Sequence, residues 1–377
     1  MTGESTGQSN KEPGRRESAA PFLKSCFPMI LSRNEILSEI GKSPGLSAMF
    51  RGWGEKRQEE FLSFCTGVRG VRLLYDSFFK EIMSPEQTPE RLEEFLSLLL
   101  RKQVKILEVL PNDSTRIADE KTLLITDIVV ELENHEIVNV EIQKIGYMFP
   151  GERSACYSAD MLLRQYKRVR SVKKKKFSYR DIRSVYTIVL FENSPKEFHS
   201  YKENYLHYFS QKSDTGLELE LLQKYLFVPL DIFRKIQENR NIADKCEAWL
   251  VFLSMDGPEK IGRLLEQYPE FRPLYEQIYG LCRNVGRVME MFSEELRELD
   301  RNTVDLMIDE MQERIERQEE ELGRKEEELG RKDKEIERQD RELQESRRQQ
   351  KEERRKNEEE FRRLRARIAE LERHTGE

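Results

Sequence analysis

What this chain of 377 residues lacks narrows its function before any motif is considered. Hydrophobic residues make up only 37% of it, and no apolar run approaches the roughly 18 residues that a membrane-spanning helix needs. Its first residues, MTGESTGQSNKEPGRRESAA, contain no apolar core of signal-peptide type. These absences predict a soluble, cytoplasmic protein with no membrane partner. The five cysteines (Cys26, Cys65, Cys156, Cys246 and Cys282) are odd in number, scattered, and never form a CxxC pair, which argues against a disulfide framework and against a zinc knuckle. Histidine is scarcer still, at four residues with no HExxH spacing. A metal site would therefore be built from carboxylate oxygens and would prefer Mg²⁺. A glycine-rich phosphate loop and a GxSxG elbow are also absent.

Charge is abundant but balanced. Charged residues reach 36%, well above the quarter typical of globular chains, yet 65 Lys and Arg against 71 Asp and Glu leave a net charge of −6. That sum excludes a protein that coats nucleic acid by bulk positive charge. Any nucleic-acid site must be local.

The patterning divides the chain into four parts: a disordered N-terminus (1–20), a core (21–215), a helical C-terminal region (216–308) and a charged helix or weak coiled coil (309–377). Within the core, helices are expected at Glu55–Phe64, at Val71–Met83 and after Thr88-Pro89, followed by a strand over Val104–Leu110. LLITDIVVEL (Leu123–Leu132) and IVNVEIQ (Ile137–Gln143) flank a polar turn and read as a β-hairpin. A helix is expected from Glu152 to about Val169 and a buried strand at Ser184–Phe191. From Leu217 the apolar spacing, beginning with LELLQKYLF, predicts helices. From about Asp309 onward one seven-residue phase, starting at Ile308, carries Ile308, Ile315, Leu322, Leu329, Ile336, Leu343, Leu364 and Leu371, while most partner positions are polar. A homodimer through a weak coiled coil and a lone solvated helix both fit that half-zipper.

In IVNVEIQ, alternation puts Asn139, Glu141 and Gln143 on one face of the strand. Asp127 lies in an equally aliphatic strand, where an unpartnered carboxylate would cost several kcal/mol. An odd-numbered turn would set Asp127 opposite Glu141 or Gln143, and two carboxylates with a backbone carbonyl between them suit Mg²⁺. A plain salt-bridged hairpin is the competing explanation. On the helix that follows, Arg153, Tyr157, Arg164 and Arg168 share a face with Lys167 beside them. Downstream, KRVRSVKKKKFSYRDIR gathers Lys173, Lys174, Lys175 and Lys176, a local excess able to bind a phosphate backbone or simply to remain solvated.

At Asp127, Glu141, Gln143 and the following GYMFPGERSACYSADMLLRQY, the chain resembles the PD-(D/E)XK nuclease family transposases, relatives of the bacterial recombination-promoting nucleases. The likeness runs from about Phe50 to about Ile308. It implies an α/β fold with a restriction-endonuclease-like mixed sheet core flanked by helices, a bacterial cytoplasmic setting, a DNA partner, and Mg²⁺ with Mn²⁺ as substitute. Asp127 and Glu141 match the family's metal-binding acids, the carbonyl of Ile142 its third ligand, and Asp76 an N-terminal helix acid that completes the site. Gln143 stands where the motif's lysine is usual. The implied activity is a metal-dependent DNA endonuclease with Asp127, Glu141, Gln143 and Asp76 as catalytic residues; a decayed DNA-binding or coiled-coil assembly protein is the alternative.

Overall fold

The structure, a computed structural model, describes residues 22–110, 128–144 and 150–374; the expected disordered N-terminus (1–20) and Asp127 lie outside them. The chain divides into two units, Met1–Leu306 and Met307–Glu377. In the first, six helices come before most of the sheet: α1 (Phe22–Cys26), α2 (Arg33–Lys42), α3 (Pro44–Gly52), α4 (Glu55–Cys65), α5 (Asp76–Ile82) and α6 (Pro89–Leu100). Strands β1 (Ile106–Val109), β2 (Ile128–Leu132) and β3 (Ile137–Gln143) follow, then α7 (Pro150–Lys173), β4 (Val185–Phe191), β5 (His207–Phe209) and β6 (Gln223–Pro229). Helices α8 (Leu230–Gln237), α9 (Lys245–Ser254), α10 (Pro258–Gln267), α11 (Arg272–Cys282) and α12 (Val285–His374) complete the chain.

The sheet is mixed, in the order β1-β2-β3-β4-β6-β5. β1, β2 and β3 are antiparallel neighbours, β3, β4 and β6 run parallel, and β5 closes the far edge antiparallel to β6. Both faces are covered, as a parallel sheet requires. On one, Val138, Val140, Ile188, Leu190, Leu226 and Val228 join a core of helical aromatics that includes Phe61, Phe64, Phe95, Trp249 and Phe292. On the other, Val129, Ile137 and Val185 pack on Met161 of α7.

Two elements depart from the sequence reading. LELLQKYLF, expected to be helical, contributes β6, which pairs with β4 in register from Val185↔Gln223 to Phe191↔Pro229. Leu226, Phe227 and Val228 are buried there; the backbone partners and two covered faces offered by the sheet outweigh a weak local helical preference. The expected helix over Val71–Met83 begins only at Asp76. Val71, Leu73, Leu74 and Tyr75 are all buried, so this apolar run is filled by tertiary packing rather than by one helical stripe. Gly70 explains the bend before it. Its N–H donates to the Asp256 carbonyl at 2.7 Å, and a Cβ at this position would meet Ile261 Cδ1 at 2.5 Å.

Phe292, on the first turns of α12, ties the early helices together. Its ring centroid lies 5.1 Å from Trp53, 5.8 Å from Phe61, 5.7 Å from Phe64 and 5.9 Å from Tyr75. Truncating a buried phenylalanine removes both transfer energy and packing, about 3–5 kcal/mol. Phe292→Ala is expected to lose that much in urea unfolding, whereas Phe361→Ala, 67% exposed, should stay within about 0.5 kcal/mol of wild type.

Candidate active site

The carboxyl ends of β3, β4 and β6 lie side by side, the place where parallel α/β sheets commonly bind ligands. β3 supplies Asn139, Glu141 and Gln143, all buried on the face covered by α7. Asn139 Nδ2 donates to Glu141 Oε1 at 3.3 Å. Both amide atoms of Gln143 are buried with no hydrogen-bond partner among the described residues, as are Asn139 Oδ1 and Thr187 Oγ1. Thr187 sits opposite Asn139 in the β3–β4 register. Each buried polar group without a partner costs about 1–3 kcal/mol, so a cluster of them beside a carboxylate marks a place completed by water, ion or substrate.

The hairpin has the parity that the sequence reading required. Its last Cα pair is Glu131↔Ile137, so an odd-numbered segment, 132–136, connects the strands. Asp127 lies outside the described residues. Its chain neighbour Ile128 pairs with Val140, the residue before Glu141.

One residue past Gln143 the chain turns to the other face of the sheet. Lys144 forms a buried ion pair with Glu295 Oε1 of α12, their side chains only 5% and 0% exposed. Glu295 Oε2 accepts the Asp76 N–H at 3.1 Å, at the start of α5. Asp76 Oδ2 pairs with Lys80 Nζ at 2.8 Å, and Asp76 Oδ1 is buried without a hydrogen-bond partner among the described residues. Asp76 is thus tied to the β3 motif through Glu295 and Lys144.

A third acid, absent from the sequence reading, is Glu192, buried at the first position after β4. Its N–H donates to the Gln143 carbonyl at 2.8 Å, while Asn193 Nδ2 donates to the Lys144 carbonyl at 2.7 Å, which fixes the end of β3. Arg72 reaches Glu192 at 3.4 Å and Glu60 at 3.1 Å, and the Tyr75 hydroxyl donates to Glu60 at 2.7 Å. Burial opposes the Arg72 charge, but Tyr75, Glu192 and Glu60 outweigh it and hold the guanidinium pKa above its usual value. Burial raises the Tyr75 phenol in turn. An acid directly after an aliphatic strand, as in VLFEN, was the available signal; Lys144 and Glu295 had none, being 151 residues apart.

The basic segment divides in two. Helix α7 carries Arg153, Tyr157, Arg164 and Arg168 on one face as expected, but that face turns inward: Tyr157 is 4% exposed, Arg153 donates to its hydroxyl at 3.2 Å, Arg164 pairs with buried Asp160 at 2.8 Å, and Arg168 pairs with Glu131. Lys173 reaches Asp181 at 2.5 Å. Lys167, Lys174, Lys175 and Lys176 are exposed. Beside them Tyr166, Phe177 and Tyr179 form an aromatic cluster with centroids 5.4–6.2 Å apart, and Tyr179 is 76% exposed. The sequence reading passed over these rings although FSY stands inside the basic run.

The donors present fit a divalent cation of the Mg²⁺ kind. Among the described residues no group of three His, Cys, Asp or Glu converges, so a zinc-like cage is not offered there. Mg²⁺ asks for less, one or two carboxylates with waters and substrate oxygens completing the shell, and the buried Glu141 carboxylate among partnerless amide and hydroxyl oxygens supplies part of that set.

No curated protein matches the chain. Among solved structures, the small subunit of the heterodimeric restriction endonuclease R.BspD6I is similar at 15% identity over 57% of this chain and 96% of that one, with a TM-score of 0.14. Among the described residues no helix is long and apolar enough to cross a membrane. The family model of the PD-(D/E)XK nuclease family transposase matches residues 73–305, which contain β3, Gln143, Lys144, Glu192 and Glu295, and the chain belongs to that family.

Proposed function

We propose that the protein is a Mg²⁺-dependent DNA endonuclease of transposase or recombination-promoting type. The observation that carries this reading is Glu141, a buried carboxylate at the carboxyl end of β3, set beside the partnerless amide of Gln143. Glu141, Asp127 and the Ile142 carbonyl would hold the cation, which supplies polarisation of the scissile phosphate and a more acidic bound water. Gln143 has a donor and an acceptor without a partner among the described residues, with which it would orient the attacking water. It lacks the positive charge of the lysine usual in the motif, so more of the charge stabilisation falls to the other groups. The Glu192 N–H and the Lys144–Glu295 pair hold the strand end still, so that Gln143 need not be ordered on substrate binding.

Lys167 and Lys174–Lys176, together with Arg170, Arg180 and Arg183, are exposed cations available for the DNA backbone, and the Tyr166–Phe177–Tyr179 cluster gives an unstacked base a surface to rest on. Arg168, paired with Glu131 of β2, would orient α7, and Arg164 is matched by Asp160 on its own helix, so neither is left to carry phosphate.

The rival reading, a decayed relative that binds DNA without cutting it, draws support from Gln143 itself. Plasmid nicking separates the two. Wild type should nick in Mg²⁺ and stop in EDTA, and Glu141→Gln and Asp127→Asn should each lower the rate about a hundredfold or more with the unfolding midpoint preserved. Salt-sensitive DNA retention with no cleavage in Mg²⁺ or Mn²⁺ would favour the rival.

The structural role of the buried ion pair is tested by stability. Lys144→Met leaves Glu295 buried and uncompensated and should cost about 3–5 kcal/mol, while Lys144→Met with Glu295→Leu should recover most of it. For the DNA surface, Lys174→Ala, Lys175→Ala and Lys176→Ala together should lower the slope of log affinity against log salt by about 2–3, read by fluorescence anisotropy.

A further inference from the structure

Helix α7 leaves the proposed site and runs back along the sheet. Met161 packs with Ile137 and Val185, and Gln165 Nε2 donates to the His135 carbonyl in the hairpin turn at 3.2 Å. The last turns of the helix therefore lie beyond the hairpin, roughly 20 Å from Glu141 by the rise of strand and helix. There Lys174, at φ +46°, follows the helix and turns the chain back, so that Phe177 and Tyr179 meet Tyr166.

The three rings do not share one role. Tyr166 and Phe177 are half-buried, edge to face at 5.5 Å, and clamp the returning chain on α7. Tyr179 adds little to that clamp, since it lies parallel to Tyr166 at 6.2 Å and is 76% exposed. Its backbone is nevertheless held. The Ser178 N–H donates to Asp181 Oδ2 at 2.8 Å, the Arg180 N–H donates to Ser178 Oγ at 3.3 Å, and Lys173 Nζ reaches Asp181 Oδ1 at 2.5 Å. A large ring on a fixed backbone, left in water, is prepared for a flat partner because little entropy remains to be lost on binding.

The surrounding charge names the chemistry of that partner. Between Met161 and Arg183 the one acid is Asp181, already paired with Lys173, whereas Arg170, Lys174, Lys175, Lys176 and Arg180 are exposed beside the rings. Cations recognise the phosphates of any nucleic acid, but an exposed ring recognises the face of a base. In duplex DNA those faces are covered by neighbouring bases; an unpaired strand offers them.

We infer that the end of α7 is a docking surface for an unpaired DNA strand, with a base stacked on Tyr179 and the lysines on its phosphates. The inference rests on the DNA-binding part of the proposed function and adds the substrate class: DNA with a single-stranded segment, held at a distance from the bond that is cut.

Fluorescence anisotropy on the full chain in EDTA separates ring from charge, with a fluorescein-labelled oligothymidylate and a blunt duplex of equal length as probes. Tyr179→Ala should weaken oligothymidylate binding about fivefold or more and duplex binding by less than about twofold, while Tyr179→Trp keeps both. Lys174→Ala, Lys175→Ala and Lys176→Ala together should weaken binding of both probes. A 2-aminopurine placed within the oligothymidylate should lose fluorescence on saturation with wild type and not with Tyr179→Ala. Equal losses on the two probes, or no loss on oligothymidylate, would overturn the inference. So would Tyr179-dependent sedimentation with phosphatidylserine vesicles, which would assign the patch to a lipid surface. Failure of the nuclease reading looks different: no plasmid nicking in Mg²⁺ or Mn²⁺, with the Tyr179-dependent preference for oligothymidylate intact.

Discussion

Strand β3 is covered on both faces and its side chains must alternate, and the proposed site depends on that constraint. Val138, Val140 and Ile142 go to the side where Phe292 and the early helices pack; Asn139, Glu141 and Gln143 are thereby committed to the side of α7. A one-residue slip would bury the three polar groups among aromatics and turn the valines toward the site. The register is held from three directions: β2 pairs antiparallel up to Ile128↔Val140, β4 pairs parallel as far as Gln143↔Phe191, and the Glu192 N–H bonds to Gln143 beyond the last pair. The polar face is therefore fixed by the apolar one.

Behind the strand end, the buried Lys144–Glu295 pair illustrates which of two opposed effects decides. Desolvating two charges costs several kcal/mol, and their attraction barely repays it. A hydrophobic pair would serve stability as well. What the ions add is direction: Glu295 uses its second oxygen on the Asp76 N–H, so one carboxylate fixes the end of β3 relative to the start of α5, the two elements that bear Glu141 and Asp76. On α7, Arg168 pairs with Glu131 of β2 and braces the helix against the sheet, while Arg164 pairs with Asp160 one turn away on the same helix.

The tail obeys different physics. With no core to bury, its helix is sustained by pairs three and four residues apart, which are indifferent to the overall order of acidic and basic blocks.

By itself, the sequence determined whatever depends on local period and chain connectivity. The hairpin's alternation, the helix that follows it, the SVYTIVLF strand, the shared face of Asn139, Glu141 and Gln143, and the family likeness were all legible, because periods of two and 3.6 are written in consecutive residues. Tertiary structure alone decided what depends on distant partners. LELLQKYLF becomes β6 because β4 offers it a complete ladder, Val71–Tyr75 stays out of helix because Gly70 is pinned to Asp256, and Arg168 of α7 turns toward the sheet because Glu131 of β2 lies there. Lys144 finds Glu295 only once β3 and α12 are brought together. Such pairings join residues whose separation along the chain carries no period, so no local pattern can announce them; they exist only where folding excludes water from both partners at once.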